Sequence, residues 1–560
     1  MLALGLVASV GAHLAGQSLT APATPTSVRI LSELDPPAFQ GTTVYVSLSG
    51  SDANAGTQSS PVRTIQRGVT LANQLVASNT NARVLIAAGT YREAVDLGSQ
   101  PNTNAVLVLE GAGASTVLSG ADDWSTGWTQ QADGSYLRAW PYKWGMQAVP
   151  PSWDYYWNSS GMISHPDKDT LRRTEMVYVN GAPLAPKLSL TAMNGAGQFY
   201  VDETNGRLHM RLPAGASLPG ALVDVSTRVQ LLRIVGRRNV TLRNFAVMRS
   251  RGAIQDMMVA IVSGSNITLD GIFVTHAAYT GIGANHTTGL TIRNSTLNDN
   301  GVNSYSDYRN QNLTIEGSEV ARNNWRGWAI GHRGWDSVFK LFNIRTALVR
   351  RTRFVDNFGN GFWVDADNTN VTVEKSLMSG NRGRGISLEA NQGPIVISGS
   401  VICNNHDVGV SDAQSDRVTL RDNTVFGNRN WNLLFTGHYN GRTFTNWQTG
   451  ESYTAKSLYW TVTGNTFVGS GTGTGTTDGG WLSWHTDWQA SGAWAAIRGS
   501  FVAFDNNRWV HTQKTAPFTM PGGAKTYAQF KADLQLANPA FEANSTFSQQ
   551  APSLSCTLPD

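Results

Sequence analysis

The chain is poor in cysteine and in charge, and both shortages narrow its roles. Only two cysteines occur, Cys403 and Cys556. That is too few for a disulfide-stapled scaffold, and their spacing suits neither a zinc site nor a thiol nucleophile. Either they join to pin the C-terminal tail or they serve as unpaired structural residues. Charged residues make up 15% of the chain, and the 43 Lys and Arg are scattered instead of clustered, which argues against nucleic acid as a partner. The formal charge of +4 is mild; a weak positive bias helps hold an acidic glycan without establishing one. No Gly-rich phosphate loop and no His-based metal cluster occurs. The apolar run from Met1 to Gly16 is too short to span a membrane. It lacks a basic start but ends in small residues, so it reads as the hydrophobic part of a signal peptide over residues 1–17, cleaved after Ala15 or Gly16. The expected location is secreted or periplasmic, with no membrane partner.

What is abundant is Gly (57) and Trp (18), with frequent Asn, Thr, Ser and Val, a composition suited to strands and tight turns. A short phrase recurs from residue 239 onward: Asn239-Val-Thr-Leu, Asn266-Ile-Thr-Leu, Gly289-Leu-Thr-Ile, Asn312-Leu-Thr-Ile, Thr346-Ala-Leu-Val, Asn370-Val-Thr-Val, Pro394-Ile-Val-Ile and Arg417-Val-Thr-Leu. Its first apolar residues fall at 240, 267, 290, 313, 347, 371, 395 and 418, in steps of 27, 23, 23, 34, 24, 24 and 23. A period near 23 with strand-like alternation is one coil of a β-solenoid. Asn300, Asn324, Asn357, Asn381, Asn405 and Asn428 form a second column, expected as an amide ladder inside the stack. Both columns place an insertion of roughly ten residues between Asn324 and Asn357. The fold class is therefore all-β, a right-handed parallel β-helix of the pectate-lyase-like kind.

The remaining segments fit around that stack. Residues 40–121 read as an N-terminal cap and first coils, with strands at Thr43–Leu48, Arg83–Ala87 and Val106–Glu110. Over 122–230 the period disappears, and hairpin strands with Asn-Gly turns, as in Val179-Asn-Gly181 and Thr204-Asn-Gly206, predict a small inserted β-sandwich. The main helix is expected over 231–515, with weaker coils near Trp460 and Val502. A C-terminal helix near Thr526–Leu534 and a tail complete 516–560.

The chemistry is expected on one face of the coils. Asp365-Ala-Asp367, Glu389-Ala-Asn391 and Asp412-Ala-Gln414 each begin six residues before a phrase's first apolar residue. Strand alternation turns the alanines toward the packed interior and the flanking polar residues the other way. With rungs about 4.8 Å apart, Asp365 and Glu389 come within about 5 Å, the separation of nucleophile and acid/base in a retaining glycosidase. Two such charges cannot both ionise freely, so one carboxyl is pushed up and becomes the proton donor. Asp412, one rung further, is expected to orient or tune Glu389. Trp363 shares the face, with Asp367 and Asn391 beside the pair. Trp328, His332, Arg333 and Trp335 belong to the inserted loop, and His438 to a second insertion over 436–458. Together these form the candidate sugar-binding set, since aromatic faces stack on sugar rings.

Gly361-Phe-Trp-Val-Asp365, followed one coil later by Ile386-Ser-Leu-Glu389-Ala-Asn-Gln-Gly393, resembles the β-helix glycoside hydrolases of the family 120 β-xylosidase group. The opening Tyr45-Val, Gly50-Ser-Asp52 and Thr64-Ile-Gln, and the inserted block with Val179-Asn-Gly181, are similar too. The resemblance implies a retaining hydrolase with Asp365 as nucleophile and Glu389 as acid/base, acting on carbohydrate without a cofactor. Two rival readings stay open. A polysaccharide lyase would use Arg382, Arg384 or Lys375 as base, with calcium held by Asp365, Asp367 and Asp412. A glycan-binding surface helix would need the aromatics but no close Asp/Glu pair. His276 and His286 read as polar turn or surface residues. Sugar, linkage and oligomeric state are not legible.

Overall fold

In a computed structural model, residues 39–99, 101, 103–149, 151, 168–327, 338–436, 440–470 and 493–559 are described. The expected signal segment, 1–17, lies outside them. The recurring phrase becomes one strand per coil of a thirteen-stranded, all-parallel sheet that starts at Thr42–Val46 and ends at Ala503–Asp505. Its first apolar residues stack in register, Val240 on Ile267, then Leu290, Leu313, Ala347, Val371, Ile395 and Val418, and all are at most 2% exposed. Burying one apolar side chain per rung at about 1.5–3 kcal/mol each makes the stack, not the single coil, the stable unit. The Asn that opens many phrases has a physical reason. Asn239, Asn266, Asn312 and Asn370 turn the chain with φ between 52° and 57°, where Asn is tolerated far better than branched residues.

Two further sheets complete each coil, one of ten strands and one of thirteen. The amide ladder runs through the turns between strands: Asn300 donates to Asn323, and that to Asn357, Asn381, Asn405 and Asn428, at 2.9–3.0 Å. The expected member Asn324 is replaced by its neighbour Asn323; Asn324 instead donates to the Phe358 carbonyl at 3.0 Å. A second ladder joins Asn423, Asn465 and Asn507, and carries the register into the weaker coils.

At the N-terminal end, helix Ile65–Ala77 buries Ile65, Gly68, Val69, Ala72 and Val76. Near the C-terminus, helix Tyr527–Gln535 opens on a capping box between Thr526 and Gln529 and stacks Phe530 on Phe518 with centroids 4.2 Å apart. Cys403 and Cys556 form a disulfide across 153 positions, so the first of the two cysteine readings holds: the bond pins the tail. Among the described residues no helix is long and apolar enough to cross a membrane.

Within the block expected as the insertion, residues 122–143 and 176–225 form a compact unit of their own, while the described residues of 144–175 group with the coils. Antiparallel pairing of Gln198–Asp202 with Arg207–Arg211 buries Phe199, Val201, Leu208 and Met210. Trp140 meets Trp124 and Tyr142 edge-on, at 5.6 Å and 5.1 Å.

Candidate active site

The ten-stranded sheet carries the carboxylates. Along Phe362–Asp365 and Ile386–Glu389, Phe362, Val364, Ile386 and Leu388 point into the core, which sends Trp363, Asp365, Ser387 and Glu389 outward. Asp365 and Glu389 are direct register partners on neighbouring rungs, as are Trp363 and Ser387. Below Asp365 the same outward column continues through Phe342, which stacks on Tyr308 with centroids 5.8 Å apart.

The two carboxylates have unlike surroundings. Lys340 reaches Asp365 at 2.5 Å, with its ammonium over the Trp363 ring at 3.9 Å. Glu389 is paired with Arg442 at 2.8 Å. Burial, and then the negative charge of Asp365, push the Glu389 carboxyl above its ordinary value, while Arg442 and Lys340 pull the other way without cancelling the rise. A like-charge pair of this kind, with one member raised, is an arrangement able to hold and release a proton.

Arg442 comes from a hairpin, Arg442–Thr445 paired with Ser452–Ala455. Its anchors are specific. The Tyr453 hydroxyl donates to the Ala390 carbonyl at 3.0 Å, and Ala455 packs on Ala366 and Ala390. Those two alanines, expected to face the solenoid interior, are buried beneath this hairpin instead.

Several expected site residues stand elsewhere. Asp367 is 1% exposed; it pairs with Arg345 at 3.0 Å and accepts the Trp447 backbone N–H at 2.9 Å, so it fastens the hairpin and offers nothing to a sugar. Asn391 is fully buried, accepting from Asn368 at 2.7 Å and donating to the Ser415 hydroxyl at 3.0 Å; it is a ladder residue. Trp363 does share the outward face, but it is only 2% exposed, its ring covered by Lys340. Asp412 is in the wrong column. Its register partner is Leu388, while Ala413 stands opposite Glu389. The turn before Val418 is one residue shorter than the turn before Ile395, and a one-residue slip moves a side chain to the other face. Asp412 therefore lies inside the coil, accepting from the Ser415 N–H at 2.9 Å and from the Ser457 hydroxyl, and burial pushes its carboxyl up to about 8. Trp328, His332, Arg333, Trp335 and His438 lie outside the described residues.

The lyase set is likewise dispersed. Asp365, Asp367 and Asp412 do not share a pocket, Arg382 stacks over Phe358 at 4.3 Å, and Arg384 faces Asp407 at 3.6 Å. Lys375 follows a strand of a different sheet. Among the described residues no group of three His, Cys, Asp or Glu is gathered to hold a metal ion. His276 stands at a turn with φ 57°, one of the two places expected, but is buried and bonded to the Thr275 hydroxyl at 2.7 Å, and burial pulls it down to about 3. His286 is exposed at a turn, edge-on to Tyr308.

Sequence reasoning missed Lys340, Arg442, Tyr308 and Phe342. For three of them a signal existed: subtracting the 34-residue step aligns Ser306 with Lys340 and Tyr308 with Phe342. Arg442 carries no such signal, because a hairpin's docking is not periodic.

Comparison with known proteins agrees with the architecture. Residues 257–425 match the family model for a right handed beta helix region. XylC in complex with xylose superposes with a TM-score of 0.65 at 12% identity, covering 91% of this chain and 86% of the other. A glycoside hydrolase superposes with a TM-score of 0.50 at 12% identity, covering 69% of this chain and 94% of the other. The mannuronan C-5 epimerase A-module of Azotobacter vinelandii gives 0.44 at 14% identity, covering 88% and 95%. No curated protein matches the sequence. The chain has the right-handed parallel β-helix fold of these structures.

Proposed function

We propose that this chain is a secreted glycoside hydrolase cleaving a poly- or oligosaccharide with retention, Asp365 acting as nucleophile and Glu389 as acid/base. The observation that carries the reading is the direct register of Asp365 with Glu389 on the outward face, each carboxylate beside its own cation. Lys340 holds a positive charge against Asp365, which suits a group that must attack as an anion. Glu389, raised by burial and by its neighbour, suits the group that protonates the leaving oxygen. Asp365 would attack the anomeric carbon as Glu389 gives its proton to the departing oxygen. Glu389 would then take a proton from water as that water displaces Asp365. The fold shared with XylC, solved with xylose, and with a glycoside hydrolase agrees with a carbohydrate substrate. The disulfide agrees with an oxidising compartment.

Wild type, Asp365→Asn and Glu389→Gln are to be assayed on aryl β-glycosides, plant polysaccharides and polygalacturonate, reading reducing ends and unsaturated uronate. Sugar release that both variants lose, without unsaturated product, is the expected result. Unsaturated product surviving Glu389→Gln would make the chain a lyase. Glycan binding without any cleavage would leave a binding surface.

A further inference from the structure

We infer that the substrate of this site is an acidic glycan, one carrying uronic-acid carboxylates, and that Arg442 and Arg309 receive those carboxylates. The inference rests on the hydrolase reading above and adds the substrate class to it. The cations near the pair divide into two kinds. Arg345 and Arg384 face Asp367 and Asp407, carboxylates that take no part in the bond changes, and Lys340 faces Asp365, which is consumed as an ester only after the substrate has bound. Arg442 faces Glu389, which carries a proton whenever it acts as an acid. In that state the guanidinium has lost its counter-charge. It does not move away: its Nε donates to Gln414 and a terminal nitrogen to the Ala413 carbonyl at 3.3 Å. The edge that met Glu389 is left without its charged partner, on a side chain 38% exposed.

Arg309 has no carboxylate at all among the described residues. Its guanidinium lies 4.8 Å from the Tyr308 ring centroid and 5.9 Å from that of Trp447, and its buried Nε has no hydrogen-bond partner. Tyr308 stands two rungs below Asp365 in the outward column, roughly 10 Å along the stack. Arg442, whose partner Glu389 is the acid, and Arg309, which has no carboxylate partner among the described residues, thus flank the carboxylate pair along the column. A guanidinium fork matches a carboxylate in two hydrogen bonds. The plainer alternative is that Arg309 only packs between rings, in which case its charge is irrelevant to binding.

The test uses full-length Glu389→Gln protein, where the amide stands for the protonated acid and turnover stops. Calorimetry compares oligomers of galacturonate, glucuronate and mannuronate with their carboxyl-reduced counterparts and with a sulfated oligosaccharide. We expect one uronate series to bind about tenfold or more tightly than its reduced form, one charge-assisted contact being worth that much, with the advantage shrinking as salt rises. Adding Arg309→Met or Arg442→Met should each reduce the advantage, and both together remove it, with neutral oligomers unaffected, while Arg309→Lys keeps part of it. Melting curves confirm that each variant is folded. Equal binding of acidic and reduced oligomers, a preference for the sulfated one, or indifference to both arginine variants would overturn the inference. The two readings fail separately. Cleavage of neutral glycans by the Asp365/Glu389 pair with no uronate preference leaves the hydrolase and removes the acidic substrate. Unsaturated product from a tightly bound uronate does the reverse.

Discussion

Two outward columns of the same solenoid treat charge in opposite ways. On the thirteen-stranded sheet that carries the recurring phrase, Glu110, Arg243, Asp270, Arg293, Glu316, Arg350 and Glu374 succeed one another rung by rung. The sign alternates at every step, and pairs form along the column at 2.8 Å for Arg243–Glu110, 2.9 Å for Arg293–Asp270 and 2.6 Å for Arg350–Glu316. On the ten-stranded sheet, Asp365 and Glu389 put the same sign on adjacent rungs, and the compensating cations come from the side. Rung spacing near 4.8 Å makes vertical neighbours the strongest electrostatic partners available. A column built for stability therefore alternates, and one that repeats a sign stores a raised carboxyl that chemistry can use.

The contrast can be broken most severely at the repeated pair. Asp365→Asn or Glu389→Gln should lower kcat/KM for sugar release by about 10²–10⁴-fold, whereas Asp270→Asn in the alternating ladder should leave it unchanged.

Asp412 gives the next largest effect, on stability. Folded, its carboxyl keeps a proton up to about pH 8; unfolded, it loses the proton near pH 3.9. Between those values the unfolded chain binds fewer protons than the folded one, so wild type loses stability as pH rises, by up to about 1.4 kcal/mol per pH unit from this group. Urea unfolding at pH 5 and pH 7 should show a flatter dependence in Asp412→Asn, which retains activity because the side chain faces the core.

Arg442→Met sharpens the comparison from the lateral side. Arg442 lowers the Glu389 carboxyl, so its removal should raise that carboxyl further. The basic limb of the kcat/KM profile, which reports loss of the Glu389 proton, should move to higher pH. The smallest effect belongs to the ladder: Arg350, 43% exposed, should cost about 0–1 kcal/mol on mutation to Ala, read as a small change in the urea midpoint.

These contrasts also mark how far the sequence could be read. The period, the core column from Val240 to Val418 and the Asp365–Glu389 pair follow from side-chain alternation and coil length, which local sequence specifies. Errors arose at turns. Counting back from Val418 misplaces Asp412 because its turn is one residue shorter than the one after Glu389, and the adjacent pair Asn323-Asn324 hides which amide enters the ladder. Asn391 looked outward because the count treated a corner as strand. Lys340 lay behind the 34-residue step, and Arg442 depends on a hairpin docking over Ala366 and Ala390, a tertiary event without periodicity. The Asp365–Glu389 pair was legible; the cations beside it were not.

The most direct measurement is to trap the intermediate. Once the assay panel has identified the released sugar, its 2-fluoro glycoside with a good leaving group is incubated with the protein and the peptides are mapped by mass spectrometry. One glycosyl unit esterified to Asp365, absent in Asp365→Asn, is expected. An active enzyme that gives no adduct, or an adduct on another residue, would contradict the assignment of Asp365 and Glu389 as nucleophile and acid/base.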